Sequence, residues 1–252
     1  MIGRSFLLAL AVPAQLAAQG AKVKTTAFTA DFGFVNASGN TSVTTINLGN
    51  KFVANTEDKK VVFTQLFNAV RSEADGTTNA ENYRAQLRLD YGLGGRWYLY
   101  GLTGWDRNVP AGVSRRFEET IGLSYLAVTL PNDELGLELG LSLFQQRNVV
   151  PVSPGVFDDN YKAGRAAASY RHNFTRLSYF TQMLELIPNF DDGEDFRLNS
   201  ESAVTARISN RIGLKLGYLI RYDNLPGLLS ATSGQRLEKT DRFVTAGITV
   251  SY

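Results

Sequence analysis

Cysteine is absent from the 252 residues, and histidine occurs once, as His172. The first absence excludes disulfide scaffolds, thiolate metal sites and cysteine nucleophiles. The second leaves one imidazole for acid–base or metal chemistry. There is no excess of either charge sign, with 26 Lys+Arg against 24 Asp+Glu, so the basic face of a nucleic-acid partner is not expected. Also missing is an unbroken apolar run of the ~20 residues that a membrane-spanning helix needs. Yet 44% of the residues are hydrophobic, an ordinary share for a chain that folds.

The amino terminus has a definite order. Arg4 precedes the apolar run from Phe6 to Val12, and Pro13 leads into the small-residue stretch from Ala14 to Ala21. Charged, apolar and cleavable segments in that order predict a secretory signal over 1–20 and a single domain over 21–252. Cleavage is expected between Ala18 and Ala21. An exported chain without a membrane helix is either soluble or a barrel.

From Thr25 onward the pattern is alternation. Leu135, Leu137, Leu139, Leu141 and Leu143 are separated by Gly136, Glu138, Gly140 and Ser142, and Leu87, Leu89 and Tyr91 by Arg88 and Asp90. Side chains of a strand point to opposite faces in turn, so each such segment has one apolar and one polar or small face. The pattern predicts about twelve strands, near 25–37, 42–54, 61–72, 82–93, 97–107, 115–128, 134–146, 160–174, 178–188, 195–208, 212–222 and 240–252. Most reach ~10 residues, the length that crosses a bilayer at a tilt, against ~5–6 in soluble sheets.

The connections sort by parity. Those after even-numbered strands are short, at Asn55 to Lys60, Gly94 to Arg96, Thr129 to Asp133, Thr175 to Leu177 and Ser209 to Arg211. Those after odd strands are longer, at Glu73 to Glu81, Asn108 to Ser114, Arg147 to Asp159, Asn189 to Glu194 and Asp223 to Lys239, with the short Ala37 to Thr41 as the exception. Short periplasmic turns and longer extracellular loops are the habit of bacterial barrels. Alternation by itself does not separate a membrane barrel from a soluble one. The carboxyl terminus, with the export signal and the loop asymmetry, helps to decide: Gly247, Val250 and the terminal Tyr252 resemble the signal that the barrel insertion machinery reads. The expectation is an all-β, antiparallel, up-and-down transmembrane barrel in a Gram-negative outer membrane, in contact with lipid and lipopolysaccharide.

The sequence also resembles a family, the salt-induced outer-membrane proteins classed as domain of unknown function 481. The resemblance is carried by Ser38-Gly39-Asn40-Thr41, by Leu89-Asp90-Tyr91 with Arg96-Trp97-Tyr98-Leu99, by Phe196-Arg197-Leu198 with Ser200-Glu201, and by Tyr222 to Pro226 with Lys239-Thr240-Asp241. It implies an outer-membrane barrel without established activity, and no catalytic residues come with it.

On the polar faces stand Arg84, Arg88, Asp90, Arg116, Glu118, Glu138, Arg165, Arg171, Glu185, Arg197, Glu201, Arg207, Lys215, Arg221 and Arg242. Two readings stay open. They line a small, weakly anion-preferring channel for small ions, or they pair with one another and plug a scaffold whose loops bind a partner or lipopolysaccharide. The acidic loop Asn189 to Asp195 has carboxylates suited to calcium but not the spacing of a calcium loop, so a solvated loop is expected, as at Asp158-Asp159. His172 has Tyr170 and Phe174 two residues away, where a barrel phospholipase has a serine, so its expected role is interfacial and no enzyme, metal or cofactor is expected. Trp97, Tyr98, Trp105, Tyr125, Tyr218, Tyr222 and Tyr252 are expected in aromatic girdles.

Overall fold

The computed structural model describes residues 26–37, 43–58, 60–75, 77–232 and 234–252. The expected signal over 1–20 and the first loop from 38 to 42 lie outside them. The described residues form twelve strands: β1 Thr26–Ala37, β2 Val43–Asn55, β3 Val61–Ala74, β4 Thr77–Gly94, β5 Trp97–Asn108, β6 Val113–Thr129, β7 Asp133–Asn148, β8 Asp158–Asn173, β9 Ser178–Pro188, β10 Phe196–Arg207, β11 Ile212–Asp223 and β12 Thr240–Ser251. Each pairs antiparallel with its neighbours in sequence, and β1 pairs with β12 to close the barrel. That last seam is the shortest ladder, running only from Thr29↔Ser251 to Phe32↔Ile248. Gly247 is on the inward register of β12, and a side chain there would press on the β1 backbone at Phe32 and Gly33.

Alternation decides what faces where. Leu87 and Leu89, Ile121 and Leu123, Leu137, Leu139, Leu141 and Leu143, and Leu214 and Leu216 are exposed, whereas Tyr100, Glu118, Thr120, Ser142, Arg165 and Glu185, on the other parity of their strands, are buried. A barrel with an apolar outside and a charged inside is built to stand in lipid. Leu139, 69% exposed, sits at the middle of the outer face of β7.

The short turns close with local chemistry. In the turn after β8, Thr175 Oγ1 accepts from Leu177 N and Ser178 N at 3.1 and 3.0 Å. In the turn after β10, Ser209 Oγ accepts from Arg211 N and Ile212 N at 3.2 and 3.0 Å. The turn after β4 uses Gly94 and Gly95 at φ of 118° and 60°, a backbone region that residues with a Cβ avoid. In the turn after β2, the Asp58 carboxylate accepts from Thr56 Oγ1 and Lys60 N, and these bonds hold it below the usual carboxylate range.

One expected loop is much shorter than its sequence suggests. The stretch from Glu73 to Glu81 continues the β3–β4 ladder through an irregularity between Ser72 and Glu73, up to Ala74↔Thr77. The strands thus project as a hairpin past the level where apolar alternation ends. The connection after β5 is a single 3-10 turn, Val109–Ala111.

Candidate functional site: a barred lumen

At mid-height the lumen is crossed by a chain of charges. Arg88 on β4 donates to Asp90 and, through Nη1, to Glu138 Oε1 on β7 at 2.7 Å. The other oxygen of Glu138 accepts from Arg165 on β8 at 2.6 Å, and Arg165 Nε donates to Glu185 on β9 at 2.8 Å. Glu185 also accepts from Asn199 on β10 at 2.8 Å. Six strands, β4, β5 and β7 to β10, supply this network, because Tyr100 of β5 completes it. Its hydroxyl accepts from Arg165 Nη1 at 3.1 Å and its ring lies 4.2 Å from the Arg88 guanidinium carbon. Tyr100 is wholly buried. Space for it comes from Gly122 and Gly140, where an added Cβ would meet Tyr100 Cε1 at 2.7 Å and Tyr100 Oη at 2.5 Å. The Arg165 and Glu185 side chains are 2% and 1% exposed. Buried charges persist only when paired and hydrogen-bonded, as these are, and removing one partner costs about 3–5 kcal/mol.

Above this chain the lumen narrows to a cavity of about 70 Å³ bordered by Arg84, Arg116, Glu118, Arg197 and Arg221. Arg116 Nε donates to Gln146 at 2.6 Å, and Arg197 stacks on Phe144 at 4.4 Å. The extracellular end is bridged. Asn108 Nδ2, at the top of β5, reaches Asp241 Oδ2 at the top of β12. The loop from 224 to 239 folds back through the bridge Leu228↔Arg236 and the bond from Leu237 N to Gly227 O. It meets the 3-10 turn from the opposite side of the ring: a Cβ on Gly112 would lie 3.0 Å from Leu237 and 3.2 Å from Gly227.

Beside and below the chain are two more cavities. One, of about 140 Å³, holds the Asp31–Lys215 pair (2.8 Å) and Glu201. The other, of about 490 Å³ on the periplasmic side, is bordered by Lys51, Asp90, Glu134 and Glu138. Leu66, Gln86 and Met183 border both. At the periplasmic rim Arg171 and Arg207 turn inward on the two sides of Tyr179, at 3.7 and 5.9 Å from its ring centre.

The fourteen charged residues from Arg84 to Arg221 all lie on the inward-facing register, but Arg242 does not. It shares the outward face of β12 with Val244 and Ile248. Phe243, an aromatic on the inward side of β12, reverses the parity that polarity suggests. Tyr98 is likewise inward, against the periplasmic cavity, and Tyr218 stands mid-strand rather than at a rim. Trp97 and Tyr125 do form a rim pair at 4.6 Å, and Arg211 covers Tyr252 at 4.7 Å. His172 faces outward at the periplasmic rim, its Nδ1 2.7 Å from Asp133 Oδ1, which also accepts from Tyr170 at 2.6 Å. In the acidic loop, Asp191 accepts from Lys162 N, Asp195 from Asn189 and Asp192 from Glu194 N. Among the described residues no cluster of three or more His, Asp or Glu side chains is placed to hold a metal ion.

Sequence reasoning missed Tyr100, Asn108 and Asp241. Only Tyr100 leaves a signal, as an inward-parity aromatic in register with the glycines Gly122 and Gly140.

The family model described as "Protein of unknown function, DUF481" matches residues 30–252, and the chain belongs to that family. It is 26% identical over 167 residues to the uncharacterized protein YdiY of Escherichia coli (strain K12), a match covering 63% of this chain and 60% of that relative. The chain thus spans about three fifths of that relative's length. Among solved structures it is similar to the NanC porin, with a TM-score of 0.53 at 9% identity over 90% of this chain and 98% of that one. It is also similar to the translocator domain of the autotransporter NalP from Neisseria meningitidis, with a TM-score of 0.49 at 13% identity over 90% and 86% of the two chains. The fold is that of an outer-membrane β-barrel.

Proposed function

We propose that the protein is an outer-membrane barrel closed at rest, a scaffold that stands in the membrane and presents its extracellular loops, rather than a permanently open pore. The observation that carries this reading is the double bar across the lumen. Asn108 and Asp241 draw opposite walls together under the loop from 224 to 239, and the Arg88–Glu138–Arg165–Glu185 chain crosses below them. Arginines held in such pairs are not free to attract passing anions. The reading includes export through the signal over 1–20 and insertion guided by Gly247, Val250 and Tyr252. Within it His172 is an interfacial anchor bonded to Asp133, without enzymatic work.

A gated, weakly anion-preferring conduit is the second reading. It is favoured by the periplasmic cavity of about 490 Å³, which shares Leu66, Gln86 and Met183 with the cavity of about 140 Å³ beside the charged chain, because a shift of these three side chains would join the two spaces. Planar bilayers with the folded protein separate the two. The scaffold reading expects no discrete conductance across a range of voltage and salt. Steady conductance at rest would overturn it, and voltage-dependent opening would favour the gated conduit.

A further inference from the structure

The outer wall carries a charged row that neither reading of the lumen uses. Arg115 on β6 is paired in register with Arg147 on β7, and Arg107 on β5 donates to the carbonyl of Ser114, next to Arg115. All three are on outward parity. Arg107 is held by Glu81 at 3.0 Å and Arg147 by Asp158 at 3.3 Å, while Arg115 is exposed and has no carboxylate or ring partner among the described residues. Like charges directly opposite on adjacent strands oppose folding, so an exposed arginine between two others marks a place where an anion is favoured.

The height of the row says which anion. The lower girdle pair, Trp97 and Tyr125, is in register with Leu137. Arg107, Arg115 and Arg147 each stand ten residues further up the same three strands. At ~3.4 Å per residue and a tilt of ~40° that is about 26 Å along the barrel axis, the height of the apolar band of such barrels (~25 Å). The arginines are therefore level with the outer-leaflet headgroups. Directly beneath, Trp105 and Phe117 are in register, and below them an outward groove of about 780 Å³ is bordered by Leu87, Gly101, Ile121, Leu141, Leu143 and Phe190. A Cβ at Gly101 would meet nothing within 4 Å, so the groove floor is open to an acyl chain. Glu119 is the acidic residue on this strip, and Lys162 shares its register row across Leu143, so the charges at that depth balance.

We propose that the outer face of β5 to β7 is a binding site for a phosphorylated glycolipid of the outer leaflet. Arg115, flanked by Arg107 and Arg147, takes the phosphate of its lipid A moiety, and the groove below takes acyl chains. The orientation rests on the outer-membrane reading, but the binding does not. The test uses the full barrel in detergent micelles, with folding of every variant checked by heat-modifiable mobility, titrated with bis-phosphorylated lipid A and with the same lipid dephosphorylated. Phosphorylated lipid A should saturate the wild type. Arg115→Ala should weaken binding about tenfold, as should removal of the phosphates, whereas Arg115→Lys should retain most of it. Arg242→Ala, an outward arginine on the far side of the barrel, should bind as wild type does. Equal binding by Arg115→Ala and wild type, equal binding of the two lipids, or no saturable binding would each overturn the site. The outer-membrane reading fails separately, if membrane fractionation finds the protein elsewhere.

Discussion

Asn108 donates to Asp241 across 3.4 Å of lumen, although 133 residues separate them in the chain. β5 and β12 are five strands apart around the ring, so this contact reports a mouth narrower at the top than the strand number requires. The loop from 224 to 239 lies over the same spot. Because the chain has no cysteine, a single Arg221→Cys substitution gives an unambiguous probe of the upper cavity. A membrane-impermeant maleimide should label it slowly in the intact barrel and at least about tenfold faster once residues 228–236 are deleted. Equal rates would show that the loop does not close the mouth.

Tyr100 fits only because two neighbours lack side chains. Gly140→Ala would place a methyl 2.5 Å from the Tyr100 hydroxyl and 3.0 Å from the Ile121 carbonyl, overpacking that costs about 1–3 kcal/mol. Tyr100→Phe removes the first clash and should restore part of that loss. Urea titrations followed by tryptophan fluorescence measure both, and a double variant no better than Gly140→Ala alone would deny the fit.

The lipid-facing parity is open to a direct test at Leu139. Arginine there should cost ~2–4 kcal/mol of stability in bilayers, the penalty for a cation near the membrane midplane. A variant folding as well as wild type would mean that β7 turns Leu139 away from lipid.

Strand positions were legible because alternation is a local property imposed by one solvent on each face. Leu135 to Leu143 needs nothing outside itself to declare which side meets lipid. The same rule explains where the reading failed. Above the apolar band both faces meet water, so the stretch 77–80 carries no alternation and β4 begins five residues before position 82. On β12 an inward Phe243 and an outward Arg242 at headgroup height invert the usual signs. The bars across the lumen were invisible for a different reason. Glu138 meets Arg88 fifty residues away, and no period in the sequence encodes which inward residues face one another across a ring.

The β2–β3 turn should be sensitive to acid and to little else. Its carboxylate, Asp58, is held below the ordinary range by bonds from Thr56 and Lys60. A depressed value in the folded chain means that the contribution is complete above the unfolded value of about 3.9. It is lost as pH falls through the lower folded value. Hydrogen-exchange protection of the Lys60 amide should therefore hold at neutral pH and fall below about pH 4. Asp58→Asn should abolish that pH dependence, and a protection profile unchanged by the substitution would refute the assignment.

Glu138 holds the central bar, since its two oxygens take one arginine each at 2.7 and 2.6 Å. Replacing it with glutamine keeps the shape and removes the charge. Arg88 retains Asp90 and Arg165 retains Glu185, so neither guanidinium is stripped, but the two pairs are no longer joined and their like charges face each other in a poorly hydrated space. Loss of one member of a buried pair costs about 3–5 kcal/mol, and the retained partners place this variant toward the lower end. Glu138→Ala should exceed it, because it also empties the volume between the arginines. If the bar is what closes the barrel at mid-height, Glu138→Ala combined with deletion of residues 228–236 should conduct in planar bilayers where either change alone stays silent. Removal of the Glu138 carboxylate from beside Arg88 and Arg165 should then shift that current toward anions. Silence of the combined variant, with folding verified, would show that the seal lies elsewhere in the lumen. Conductance from the loop deletion alone would show that the charged chain leaves a passage beside it.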